Sequence, residues 1–288
     1  MAEITTALVV KLRKISGQGM MDCKKALEES GGNIDDAMSI LRKKGLATLA
    51  KRAERETTQG LVVNKISGDG RMAVLVSLCC ETDFVANSKD FGAAAEKLVE
   101  YALVCNEDEG VENLLETAVG GKKFRDVVTE LVSKTGEKTE VGDYAKFKMD
   151  GTGLICSYVH FNRKVGTMLQ IDASDDKTAG SEQMKRTGAD IAMHITATKP
   201  LALDKNGIAP DVIEREKSIY AEQVKSKPAN IVDKIVEGKM KKFFEENCLL
   251  EQKFVKDDTK TVAQVLGDAA KQTGGSATIK RFVRFDVG

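Results

Sequence analysis

The stretch "GLVVNKISGDGRMAVLVSL", Gly60 to Leu78, lies without a gap on "GLICSYVHFNRKVGTMLQI", Gly153 to Ile171, at an offset of 93 residues. Only Gly60 with Gly153 and Leu61 with Leu154 are identical, but the apolar positions track: Val62 falls on Ile155, Ile66 on Val159 and Leu78 on Ile171. Each copy reads as an apolar run, a polar turn and a second apolar run, the pattern of a β-hairpin. A helix follows each one. The first runs from about Ser88 to Asn106, with Phe91, Ala95, Leu98, Ala102 and Cys105 on one stripe, and the second from Ser181 to Ala197. A duplicated hairpin-plus-helix unit predicts an α+β fold whose core is two related subdomains with antiparallel sheets, residues 60–150 and 151–288. "GVENLLETAV" and "FRDVVTELVSKTG" add two shorter helices, and "ATIKRFVRFDV", Ala277 to Val287, supplies a last strand.

Ahead of this core, residues 1–46 read as three short helices. Thr5 caps the first, whose apolar positions Ile4, Leu8, Leu12 and Ile15 recur at helical spacing until "SGQG" breaks it. The second spans Met21 to Glu29. Asn33 caps the third, with Ile34, Ala37, Met38 and Leu41 on one face, and it is expected to stop near Lys44–Gly45. Residues 47–59, charged and weakly periodic, read as a helical or irregular linker. Within the second subdomain, about residues 209–247 form an inserted antiparallel coiled coil. Pro210 opens one helix with heptad-spaced Val212/Ile219 and Ile213/Tyr220, "KPAN" turns the chain, and Ile231, Ile235 and Phe243 line the return helix.

The chain has 44 basic and 44 acidic residues, so no global field draws it to nucleic acid. No apolar run approaches the roughly 20 residues that span a bilayer, and "MAEITTALVV" lacks a basic leader, so a cytoplasmic location without membrane contact is expected. Six cysteines without a CxxC pair read as reduced, structural thiols. Neither histidine has zinc-ligand spacing: His194 reads as a half-buried helix residue, and His160, at a strand end before "FNRK", as a surface contact. Phosphate-loop and dinucleotide fingerprints are missing too, so neither an enzyme's constellation nor a cofactor or metal site is expected.

Two features invite a partner. In "SLCCETDFVANSKDF" the strand ends near Cys80, and Glu81 to Val85 turns into the next helix. Phe84 either stands out from this turn or folds back on that helix near Phe91 or Ala94. At the mouth of the second helix, Met20 and Met21 permit one side chain inward and one outward.

The strings "SGQGMMDCKKALEESGGNIDDAMSILRKKG", "CETDFVA", "IAMHITATKP", "VEGKMKKFF" and "RFVRFDVG", in this order, resemble the bacterial elongation factor Ts family essentially end to end. The resemblance implies an N-terminal domain similar to the ubiquitin-associated three-helix fold. It also implies guanine-nucleotide exchange on elongation factor Tu, in its GDP-bound and nucleotide-free forms, with no covalent step and no cofactor. Asp83 and Phe84, within Thr82-Asp83-Phe84-Val85, match the pair that enters the GTPase domain near its magnesium and phosphate site, which favours the outward Phe84. Arg13, Met20 and Met21 match N-terminal contacts with that domain, and His160 lies where the second subdomain approaches the partner's other domains. Some family members carry a further C-terminal helical module, and this chain stops at Gly288 after its last strand. A different reading of the same residues is an interaction adaptor, its three-helix domain docking a short helix and its coiled coil pairing two copies into a homodimer.

Overall fold

A computed structural model of the chain describes residues 4–225 and 228–288. Three helices come first: α1 (Thr6–Ser16), α2 (Met20–Glu29) and α3 (Ile34–Lys51). Thr5 and Asn33 cap α1 and α3 with side-chain oxygens, and Gly17 ends α1 in the left-handed region at φ 68°. Val9, Leu12, Cys23, Ala26, Leu27, Ala37 and Leu41 close their common core.

Contrary to the expected stop near Lys44–Gly45, α3 continues to Lys51, and Arg52 is its C-cap. Gly45 is a contact residue instead of a terminator. A Cβ there would lie 2.6 Å from the Thr129 carbonyl oxygen and 3.0 Å from Ser133 Cβ. The missing side chain lets α3 lie against the later helix α7, and the Ser133 hydroxyl donates to the Leu41 carbonyl across the contact at 3.1 Å.

The core holds two three-stranded antiparallel sheets. β1 (Gln59–Ile66) and β2 (Met72–Cys80) form the first hairpin. After them come α4 (Asp83–Ala86), α5 (Lys89–Val104), α6 (Val111–Glu116), the small hairpin β3 (Ala118–Val119) and β4 (Lys122–Lys123), α7 (Phe124–Thr135) and β5 (Thr139–Lys148). β6 (Gly153–Val159) and β7 (Val165–Ala173) form the second hairpin, followed by α8 (Asp176–Gly180), α9 (Glu182–Thr198), α10 (Pro210–Gln223) and α11 (Ala229–Asn247). The pair β8 (Lys253–Phe254) and β9 (Asp257–Thr261), α12 (Val262–Lys271) and β10 (Ala277–Asp286) complete the chain. Strand orders are β1-β2-β5 and β10-β7-β6, so each hairpin's second strand is central and its third strand returns beside it.

The two hairpins pair at positions equivalent under the offset. Leu61 pairs with Leu78 in the first hairpin, and Leu154 pairs with Ile171 in the second. One face of each sheet packs on helices: Phe91, Leu98, Phe124 and Leu131 cover the first, and Met184, Ile191, Ile195 and Leu266 the second. The opposite faces meet each other through Val62, Leu75, Phe147, Ile155 and Met168, with the Arg281 guanidinium 4.0 Å from the Phe147 ring centroid. Asn64 donates to Ser157 across this contact at 2.6 Å. These two residues are equivalents under the 93-residue offset, as a local two-fold relation between the hairpins would produce.

β5 and α12 have no counterpart in the sequence reading. β5, "TEVGDYAKFK", hides behind its charges, one of which is buried: the Lys146 ammonium donates to the Leu103 and Cys105 carbonyls at the end of α5. α12 carried a readable start signal, the reciprocal capping box of Thr261 and Gln264. The two helices read on either side of "KPAN" are α10 and α11, while the turn itself begins at Lys227, outside the described residues.

Gly45→Ala should gain about 1 kcal/mol in helix propensity and still destabilise the protein by about 1–2 kcal/mol, because the added methyl meets backbone. Urea unfolding measures the balance; a stabilised variant would show that α3 and α7 are not held this close.

Candidate functional site

β2 is buried along Ala73–Cys80, so the chain must leave the core abruptly. Glu81 makes the exit. Its carboxylate accepts two hydrogen bonds from Arg52 Nη1, at 2.8 and 2.7 Å, and a third from the Lys138 backbone N–H at 2.6 Å. Burial works against the charged form, yet the Lys138 N–H and the Arg52 guanidinium outweigh it and hold Glu81 below its ordinary value of 4.5. Thr82 is fixed next: its N–H and hydroxyl donate to Glu137 at 3.1 and 2.8 Å, and its hydroxyl oxygen caps α4 by accepting from Val85 N–H. The Cys80 thiol donates to the Thr82 carbonyl at 3.2 Å.

Between this clamp and the Ser88 cap of α5 stands the single turn α4. Ala86 is buried and Val85 packs on the first sheet's core, so the turn has an inner side. Asp83 and Phe84 fall on the outer side. The Phe84 ring is 84% exposed, while Phe91, the anchor it was free to fold against, is wholly buried. Of the two placements open from local sequence, the chain takes the outward one.

His160 lies in the β6–β7 turn, partly buried, its ring centroid 4.2 Å from that of Phe161. Phe161, 90% exposed, was not singled out from sequence, although an aromatic in the polar turn "HFNRK" with no apolar periodicity to bury it was the available signal. Arg163 closes the turn at φ 56°; its carbonyl accepts from Val62 N–H at 2.7 Å and its guanidinium donates to Glu96 on α5 at 2.7 Å. In the three-helix module Arg13 is exposed in the last turn of α1. Met20 and Met21 both face solvent, not one inward and one outward, because Cys23, Ala26 and Leu27 already fill the buried side of α2.

Contacts join these places in sequence. Arg52, at the end of the module's last helix, holds Glu81; the Glu81 turn carries Phe84 into α5; and α5 holds the His160–Phe161 turn through Glu96 and Arg163. Buried His194, by contrast, is structural: Nδ1 accepts from Val255 N–H and Nε2 donates to Gln252, so its neutral form is the one bonded. All six cysteines are buried and free. Among the described residues no group of three or more His, Cys, Asp or Glu is placed to hold a metal ion, and no helix is long and apolar enough to cross a membrane.

Residues 81–288 match the family model described as elongation factor TS. The chain belongs to the elongation factor Ts family. Proteins named elongation factor Ts are similar over nearly all of it. That of Nitratiruptor sp. is 43% identical over 287 residues, covering 99% of this chain and 93% of that protein. That of Trichlorobacter lovleyi is 38% identical over 290 residues, with 99% and 93% covered. That of Chlorobium phaeobacteroides is 37% identical over 294 residues and covers both completely. This elongation factor Ts family member presents Phe84 on a turn braced by residues distant in sequence.

The folded value of Glu81 lies below the unfolded one, so the stability it contributes is complete above the ordinary value of 4.5 and is lost as pH falls through the folded value. Glu81→Gln should lower the unfolding free energy by about 1–2 kcal/mol at neutral pH, and the gap to the parent should close in acid. A gap that persists at the lowest pH at which both fold would contradict this.

Proposed function

We propose that this chain is a guanine-nucleotide exchange factor acting in the cytoplasm on elongation factor Tu, in its GDP-bound and nucleotide-free forms. The reading rests on one observation above the others, the solvent-facing Phe84 ring on a turn whose two ends are fixed. A GTPase holds GDP through a phosphate-cradling loop and a magnesium ion, and displacing the groups that support the ion removes much of that electrostatic hold. Phe84 enters between elements of the GTPase domain, where burial of the ring is worth about 1.5–3 kcal/mol. Asp83, beside it on the outer side of α4, sets a carboxylate near the ion's water shell, and Thr82 and Val85 hold the pair in place.

The Arg13, Met20 and Met21 surface anchors the same GTPase domain, and His160 approaches the remainder of the partner. Family membership supports a role in translation elongation, and nothing in the proposed step forms or breaks a covalent bond. The coupling is reciprocal: the factor by which this protein weakens GDP binding is the factor by which GDP weakens this protein's complex.

Phe84→Ala should leave the unfolding transition nearly unchanged, since the ring is exposed, and slow release of fluorescent GDP from elongation factor Tu by about tenfold or more. Stopped-flow release at the parental rate would refute the wedge.

A further inference from the structure

A groove of about 590 Å³ runs between residues 199–203 with Gly207 on one side and residues 280–285 of β10 on the other. Side chains of a strand alternate between the two faces of its sheet, so a groove that touches six consecutive residues lies along the strand's edge. β10 is an edge strand: it pairs with β7 alone, and no backbone group of residues 280–286 has a backbone partner outside that ladder among the described residues. Four residues lining the groove are basic, Lys199, Lys280, Arg281 and Arg284, and none is acidic. The carboxylate of Asp286, just beyond it, is shared by Lys199 at 3.4 Å and Arg284 at 2.8 Å, which leaves the positive charge in excess. Leu201 is 61% exposed at the rim, and Phe282 and Phe285 are half-buried.

We propose that this edge accepts an extended acidic peptide segment of a partner protein as an added strand, its backbone pairing with β10 and its carboxylates facing the exposed ammonium groups of Lys199 and Lys280, while Arg281 and Arg284 stay bonded within the fold. An open edge is a template for strand addition, and chains block unwanted pairing with lysines and bulges. Here the register shift between Ile279 and Arg281 interrupts the edge and the cations repel basic strands, while an acidic one meets attraction. At about 3.3 Å per residue, six edge residues offer roughly 17–20 Å of ladder, enough for a short strand. This surface is independent of the Phe84 reading: it shares no residue with that turn.

The test titrates the full chain with a peptide of alternating Glu and Val, with the same peptide N-methylated at alternate amides on its pairing edge, and with a short oligouridylate. Binding of the first peptide should slow amide hydrogen exchange at alternate residues of 280–286, and N-methylation should weaken it by about tenfold or more, because the methyl groups remove backbone donors. Lys280→Glu combined with Lys199→Glu, both on exposed side chains, should weaken it by a similar factor. Unchanged exchange along β10, equal affinity for the N-methylated peptide, or tighter binding of the oligouridylate to the same residues would each overturn the proposal.

Discussion

The Arg52–Glu81 pair is the contact on which the rest of this architecture turns. Arg52 caps the last helix of the N-terminal module, and Glu81 is the first residue after the central strand of the first sheet. One bidentate interaction therefore fixes both how the module meets the core and how the chain departs from it. The two anchors at its flanks come from a third segment, Glu137 and Lys138, which lead into β5. Three stretches far apart in sequence meet at a single exit. A pair of this kind on an open surface contributes little, but Glu81 is largely enclosed and its remaining acceptor capacity is met by a backbone N–H.

The sheet-to-sheet contact gives that exit a rigid base. Each sheet has one face on helices and the other on its partner sheet, so the central strands β2 and β7 are covered on both sides. Long apolar runs such as "MAVLVSLCC" follow from this, because a strand buried on both faces loses the alternation of a half-solvated one. The tip of the second hairpin reaches over to β1 and α5, which brings His160 and Phe161 under the control of the same core that carries Phe84.

Local pattern was enough wherever the determinant was local. The two hairpins, the caps at Thr5 and Asn33 and the helix opened by Pro210 were legible because each depends on a few neighbouring residues. Gly45 misled for a physical reason: glycine marks helix ends through its conformational freedom, but here its value is the missing Cβ against Thr129, a residue 84 positions away. β5 escaped because the Lys146 ammonium is hydrogen-bonded by carbonyls at the end of α5, an arrangement no short window contains. The same holds for the candidate site. The motif around Phe84 was visible, yet whether the ring points out is decided by Arg52, Glu137 and Lys138, so only the family resemblance, not periodicity, could favour one placement.

The central claim is that the Glu81 clamp acts on the proposed nucleotide exchange chiefly by holding Phe84 outward. A double-mutant cycle tests it most directly: GDP release from elongation factor Tu is measured with the parent, Glu81→Gln, Phe84→Ala and the double variant. The account predicts that Glu81→Gln slows release in the parent background and adds almost nothing once Phe84 has been removed. Strictly additive losses would contradict it.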